Sequence, residues 1–482
     1  MASHDRYESP LATRNASAAM QEIWSSQRKF STWRKLWLAL AESEHELGLP
    51  VSAEQVTEIR EHLTDIDYDN AAQYEAKLRH DVMAHVHALG DVAPNARPII
   101  HLGATSQFVN CNTELIQIRD ALQLVANKLA CVIHQLSQFA SEWKNEPTLG
   151  FTHFQPAQPT TVGKRASLWA QDLAIAHEEI EHRIESLRFR GVKGTTGTQA
   201  SFLELFGGNT PAAHDQVEKL DQLVTEKMGW PTDKRFAVTG QTYPRVLDGM
   251  VASSLAAVAS VCMKFATDMR LLANRKELEE PFGKAQIGSS AMPYKRNPMR
   301  SERICGLSRF VIGMTQTPFV MASEQWLERT LDDSSTRRLT LPEPFLALDG
   351  VLEIMINVTN GIVVYPAMVA KNLGAELPFM ATENIMMEAV KQGADRQEVH
   401  ELIREHAQQA ANAVKGQGID NDLLDRLKGE KVFEGIDMES VLDPSLYVGR
   451  APQQVDAFIE QVVDPIRNKY ADHLVQGEEL KV

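Results

Sequence analysis

Apolar residues recur along the middle of the chain at alternating steps of three and four. The first run is Leu115, Ile118, Leu122, Val125, Leu129, Val132, Leu136, Phe139 and Trp143. A second passes through Val162, Ala166, Trp169, Leu173, Ala176, Ile180, Ile184 and Leu187, and a third through Val251, Leu255, Val258, Cys262, Phe265, Met269 and Leu272. This spacing keeps one stripe of a helix apolar over many turns. It predicts three helices, each roughly 40 to 50 Å long at about 1.5 Å per residue. Helices of that length need partners along their whole length, and a shallow-angle bundle built from several copies of the chain supplies them.

Shorter patterns flank the middle. The first 104 residues hold a Trp-rich helix (Trp24, Trp33, Trp37, Leu40) and the segment RHDVMAHVHAL, and from residue 360 shorter amphipathic helices are expected at 379–392 and 396–414, before a polar tail. No run of alternating strands, internal repeat or low-complexity tract interrupts this reading. The expected fold is all-α, with helical domains at 1–104, 105–359 and 360–482.

Composition narrows the function classes. At 482 residues the chain exceeds one compact core, and its 43% hydrophobic and 23% charged residues are those of a globular protein. A formal net charge of −15 argues against a general nucleic-acid binder, so an anionic ligand must meet a local basic cluster. Cys111, Cys131, Cys262 and Cys305 are scattered and read as reduced core thiols. The N-terminal stretch has no apolar leader and no uninterrupted apolar run reaches membrane length, so a cytoplasmic location is expected.

Chemistry can sit in the polar segments between helices. GSSAMPYKRNPMRSE (288–302) gathers Ser289, Lys295, Asn297, Glu302 and, next to it, Arg303 among a glycine and two prolines. It reads either as a capped basic turn or as a shaped loop for chemistry. GFTHFQPAQPTT (150–161) puts His153 in an extended, proline-bounded segment that feeds a helix capped by Thr160 or Thr161; the histidine is either a structural hydrogen-bonder or an acid–base group. Arg79, His80 and Asp81 open RHDVMAHVHAL, where His80 and His87 would share a helix face with His85 turned away. No second carboxylate or cysteine set completes a metal site there, and anion binding by Arg79 and His80 fits better. Three arginines surround the Ser/Ser/Thr run of RTLDDSSTRR (329–338), which is a phosphate or carboxylate clamp or else a solvated loop. Gly191 to Gly197 lacks the Gly-Lys-Ser/Thr ending of a P-loop and follows a helix, so it is not one.

ATSQFVNCNT (104–113), GFTHFQPAQPTT and GSSAMPYKRNP, in this order and separated by long helices, resemble the three signature regions of the fumarase/aspartase superfamily. RYESPL (6–11), TGQTY (239–243) and ERTLDDSSTRR (328–338) are further similar to the branch of that superfamily that acts on succinyl purine nucleotides. The resemblance implies a homotetramer whose active sites are shared between subunits, each drawing on three of them. It also implies elimination of fumarate with no cofactor and no metal, in two parallel reactions that release AMP and the aminoimidazole carboxamide ribotide. Another fumarate-releasing enzyme such as argininosuccinate lyase, or a silent structural protein like the related lens crystallins, is the alternative.

The resemblance also implies roles. Ser289 would be the base, Lys295 and Asn297 would hold the carboxylate that gains charge, and His153 would be the general acid with Glu302 orienting it. His80 would be a second histidine at the phosphate or leaving group. Arg6, Tyr7, Arg79, Asp81, Arg303, Arg329, Ser334 and Arg338 would grip phosphate and carboxylates, and Thr105, Ser106 and Gln241 the succinyl group.

Overall fold

The computed structural model describes residues 5–283 and 286–474. Only residues 475–482 of the polar tail expected after 414 lie outside it; the stretch before them is not a polar tail, because it folds back and buries Leu423, Leu427, Phe433, Val455 and Val463. Three helices form the axis of the fold: Ser106–Glu142, Val162–Ser186 and Val246–Asn274. They cover the three periodic runs. Leu115, Ile118, Leu122, Val125, Leu129, Val132 and Leu136 are all fully buried, as are Ala166, Leu173 and Ile180 on the second helix and Val258, Cys262 and Phe265 on the third. Burying each such aliphatic side chain stabilises the fold by roughly 1.5–3 kcal/mol. Met299–Gly313 and Pro342–Thr359 complete the bundle by packing against the Val246–Asn274 helix and each other.

The first two axial helices meet closely because a glycine lies between them. A Cβ on Gly163 would fall 2.2 Å from the carbonyl oxygen of Ala140, so only glycine permits this approach. The turn before it is closed by Thr161, whose hydroxyl accepts the amide of Lys164 at 3.0 Å. Val246–Asn274 is long and apolar enough to cross a membrane by length and composition, but its inner stripe is committed to this bundle.

At the N-terminal side, Ser25 caps the Ser26–Glu46 helix, which buries Trp33 and Trp37. Trp24 ends the preceding short helix, so the Trp-rich stretch is two helices separated by Ser25. On the C-terminal side a second apolar core joins Ala381, Ile385, Val399, Ile403, Leu423 and Phe433. Thr382–Lys391 and Arg396–Gln417 lie close to the two amphipathic helices expected there. The chain then returns to the main core through Val455, Val463 and Tyr470.

Among the described residues, three antiparallel ladders, each of two-residue strands, depart from a wholly helical reading. Pro147–Thr148 pairs with Thr160–Thr161, Phe151–Thr152 with Gln155–Pro156, and Leu278–Glu279 with Val363–Val364. The first two were invisible as alternation because they are too short to show a period.

Candidate functional site

A cleft of about 1090 Å³ opens where five separate stretches of chain meet, the first of them at Lys29. The turn before Asp81–Val92 supplies Arg79, His80 and Asp81; the start of Ser106–Glu142 supplies Thr105 and Ser106; and Gln241, Arg329, Ser334 and Arg338 arrive from two later segments. Nine of the residues named from sequence therefore share one cavity.

Each element has a reason to end there. Arg79 closes the Tyr68–Leu78 helix in a left-handed conformation, φ 56°, and this turns His80 into the N-cap of the next helix. His80 Nδ1 accepts the Met83 amide at 3.3 Å, so its proton sits on Nε2, 3.2 Å from the Ser106 hydroxyl. Thr105 is the N-cap of the 37-residue Ser106–Glu142 helix, yet its hydroxyl makes no capping bond. A long helix thus points its N-terminus, with free hydroxyl and amide donors, into the cleft, which favours an anionic group.

The floor is a buried ionic network. Arg337 donates to Asp248 at 2.7 Å and to the Tyr243 hydroxyl at 2.5 Å, and pairs with Glu114 at 2.8 Å. Arg245 and Arg329 both bond Asp333, at 2.9 and 2.7 Å. Burial works against the Arg337 charge, but Asp248 and Glu114 more than offset it and raise its pKa. The three arginines of the 329–338 segment are consequently not one clamp: Arg337 is sunk in the floor, while Arg338 stays exposed and reaches Asp81 only at 3.6 Å.

The other histidines of RHDVMAHVHAL do not join the site. His85 is buried, stacks on Phe30 with ring centroids 3.8 Å apart, and has its pKa pushed down to about 4, chiefly by burial. His87 stacks on Tyr74, away from His80, so the shared face expected from helical spacing does not form; His80 precedes the helix.

The remaining sequence-named residues lie outside this cleft. His153 sits at the tip of the Phe151–Pro156 hairpin with φ 53°, followed by Phe154 at 57°, so the segment is a tight turn and not the extended stretch expected. Left-handed conformations at two successive non-glycine residues are costly and persist where surroundings hold them. Here Phe154 stacks on Phe151, Arg275 lies 4.8 Å over the Phe151 ring, and Arg165 donates to the Leu149 carbonyl at 2.6 Å. His153 itself is exposed.

The 288–302 loop has its own order. Ser289 Oγ accepts the Met292 amide at 3.1 Å and Asn297 Nδ2 donates to the Gly288 carbonyl at 2.8 Å. A Cβ on Gly288 would meet the Lys295 carbonyl oxygen at 2.1 Å, which explains the glycine. The loop's end is anchored by Glu280, a buried carboxylate that accepts the amides of Arg300 and Ser301 and the Ser301 hydroxyl, each at 2.9 Å. Sequence reading missed Glu280; in the acidic run ELEEP (277–281) nothing local distinguishes it from its neighbours. Glu302 lies beside Thr267, Arg270 and Pro298 at a smaller opening, without a bond to His153 among the described residues. Burial, helped by nearby Arg14 and Arg300, lowers the pKa of Arg303. Arg6 and Tyr7 are exposed at the N-terminal end.

Comparison with known proteins fits this arrangement. The family model described as "Lyase" matches residues 11–313, and one described as "Adenylosuccinate lyase C-terminus" matches 378–458. The adenylosuccinate lyase of Saccharomyces cerevisiae is 50% identical over 100% of both chains, and that of Schizosaccharomyces pombe is 50% identical over 96% of each. Among solved structures, 3-carboxy-cis,cis-muconate lactonizing enzyme from Pseudomonas putida superposes with a TM-score of 0.81 at 25% identity, covering 96% of this chain and 99% of the other. The helical bundle, the signature segments and full-length identity to these relatives converge: the chain belongs to the adenylosuccinate lyase family of the fumarase/aspartase superfamily and is a carbon–nitrogen lyase.

Proposed function

We propose that the chain eliminates fumarate from adenylosuccinate, giving AMP, and from succinylaminoimidazole carboxamide ribotide, giving the free carboxamide ribotide, in purine nucleotide biosynthesis in the cytoplasm and without a cofactor. Ser289 removes a proton beside a succinyl carboxylate. Lys295 and Asn297 stabilise the charge that builds on that carboxylate, and the carbon–nitrogen bond breaks as His153 protonates the departing nitrogen. Fumarate and the nucleotide leave together with no net gain or loss of electrons.

The observation that carries this reading is how the groups are distributed on one chain. The cleft holds Arg79, His80, Thr105, Ser106, Gln241, Arg329, Ser334 and Arg338, but neither His153 nor Ser289 lines it. His153 is exposed and Ser289 half-buried on the 288–302 loop. A homotetramer in which one subunit lends its 150–157 hairpin and another its 288–302 loop to the cleft of a third reunites them, with Glu302 and Arg303 arriving on the loop side and Arg6 and Tyr7 at the rim. Exposed apolar side chains on the bundle's outer face support such an assembly: Leu168 and Ile175 on one axial helix, Val246 and Met250 on another, and Phe319 and Val320 nearby. The division at residues 104 and 359 then separates parts of the composite site.

Mixing a His153→Gln tetramer with a Ser289→Ala tetramer under subunit-exchange conditions tests this directly. Shared sites regenerate some wild-type sites and hence turnover on both succinyl nucleotides. Exchanged tetramers that stay inactive would remove the shared-site reading, and near-normal turnover of the Ser289→Ala enzyme alone would remove Ser289 as base.

A further inference from the structure

Six cations line the cleft, and most are already committed. Arg245, Arg329 and Arg337 are bonded to the buried carboxylates of Asp333 and Asp248, and Arg338 is paired with Asp81. Of these six cations, Arg79 and Lys29 have no described carboxylate within ion-pair distance. Arg79 is part of the nucleotide site proposed above. Lys29 belongs to no signature segment, since it lies in the first turn of the Ser26–Glu46 helix, far from any of them in sequence.

The Lys29 ammonium is held over two aromatic faces, 5.3 Å from the centroid of Phe30 and 5.0 Å from that of Trp33. Trp33 is fully buried, so its ring is a fixed platform. Aromatic faces orient an ammonium without neutralising it, which leaves its N–H donors to find an acceptor. Burial lowers the Lys29 pKa, while the carboxylates of Asp81 and Glu114 work to keep it charged from beyond direct contact, and Arg338 is close enough to oppose it. Lys29 and Arg338 line the same cleft and share Asp81 as a neighbouring carboxylate, which Arg338 reaches at 3.6 Å; Glu114 and Glu75 also face Lys29, but without direct contact. A dianion placed there satisfies both cations.

We propose that Lys29 is a ligand of the substrate's 5′-phosphate, acting with Arg338 and the Ser334 hydroxyl at the Asp81 end of the cleft. This rests on the reading of the cleft as the nucleotide site. The phosphate is the suitable anion because it is compact and doubly charged, and a point-charge ammonium on a rigid platform complements it. The succinyl carboxylates have their own donors at the N-terminus of Ser106–Glu142 and on the 288–302 loop.

The test uses the full-length enzyme and titration calorimetry with AMP and with adenosine, which differ only in the phosphate. Lys29→Met, which keeps the packing on Phe30 and Trp33, should weaken AMP binding by about tenfold or more and adenosine by less than about twofold. Lys29→Arg should recover most of the AMP affinity. In turnover, Lys29→Met should raise KM by more than it lowers kcat. The proposal is overturned if AMP and adenosine weaken in parallel, which marks a packing role, or if AMP is unaffected while fumarate binds less tightly, which assigns Lys29 to the dicarboxylate. Arg338→Met separates the two levels of the argument. An AMP defect in Arg338→Met with none in Lys29→Met overturns the Lys29 role and leaves the cleft standing. No AMP defect in either overturns both.

Discussion

His80 and Ser106 face each other across the cleft, Nε2 to Oγ at 3.2 Å, while the other ring nitrogen of His80 caps its own helix by accepting the Met83 amide. One histidine thereby ends a helix and offers a single, fixed N–H to the site. The two tasks are separable by substitution. Asn is as good an N-cap as any residue, so His80→Asn should keep the cap and shift the melting temperature by no more than about 2 °C, yet lower kcat/KM by about a hundredfold because the Nε2–H is gone. Melting curves and steady-state kinetics on the same preparation check this; a large drop in stability with kinetics intact would reverse the assignment.

Gly288 and Lys295 touch through the backbone. Because an alanine Cβ would overlap the Lys295 carbonyl oxygen at 2.1 Å, Gly288→Ala must displace the turn that presents Ser289. The loop is exposed and adds little to the core, so stability should change by less than about 1 kcal/mol. Turnover should fall by about a hundredfold, the usual consequence of an ångström-scale misplacement of a catalytic group. Unchanged kcat in the Gly288→Ala enzyme would show that the loop's conformation here is not the one that matters.

Glu44 is fully buried and neither carboxylate oxygen has a hydrogen-bond partner among the described residues. Burial pushes its pKa up to about 9 from 4.5. The native state then holds one proton more than the unfolded chain across that interval, so the contribution of Glu44 to stability falls as pH rises from 4.5 and levels off above about 9. At pH 7 the penalty is on the order of 3 kcal/mol. Glu44→Gln should remove this dependence: its advantage in melting temperature over the parent protein grows between pH 5 and pH 8. Parallel pH profiles for the two proteins would contradict it.

Arg337 is the keystone of the cleft floor: it hydrogen-bonds Asp248 and the Tyr243 hydroxyl and forms an ion pair with Glu114. Removing its charge strands two carboxylates next to buried protein. Arg337→Met should therefore cost about 3–5 kcal/mol in urea unfolding, and adding Asp248→Asn should return part of that loss. Additive effects of the two substitutions would show that the pair is not coupled.

The long helices were legible because their periodicity is a local property: a stripe repeating every three to four residues buries itself whatever it packs against. The cleft residues Thr105, Ser106, Gln241, Arg329 and Ser334 were named from motifs, and the folded chain gathers them. The hairpin at His153 was not legible, since it uses His and Phe where a two-residue turn ordinarily calls for Asn or Gly, and it is held by Arg275 and Arg165 from elsewhere in the chain.

Sequence alone determined the element type, the bundle and the family chemistry. Tertiary structure decided which charges remain available. Arg337 and Arg338 are adjacent in sequence, yet one is spent on Asp248, 89 positions away, and the other faces the cleft. Lys29, in no motif, lies over the Trp33 ring with neighbouring carboxylates beyond ion-pair distance. Partner choice among charged groups depends on distance and burial between remote segments, and no local pattern encodes either.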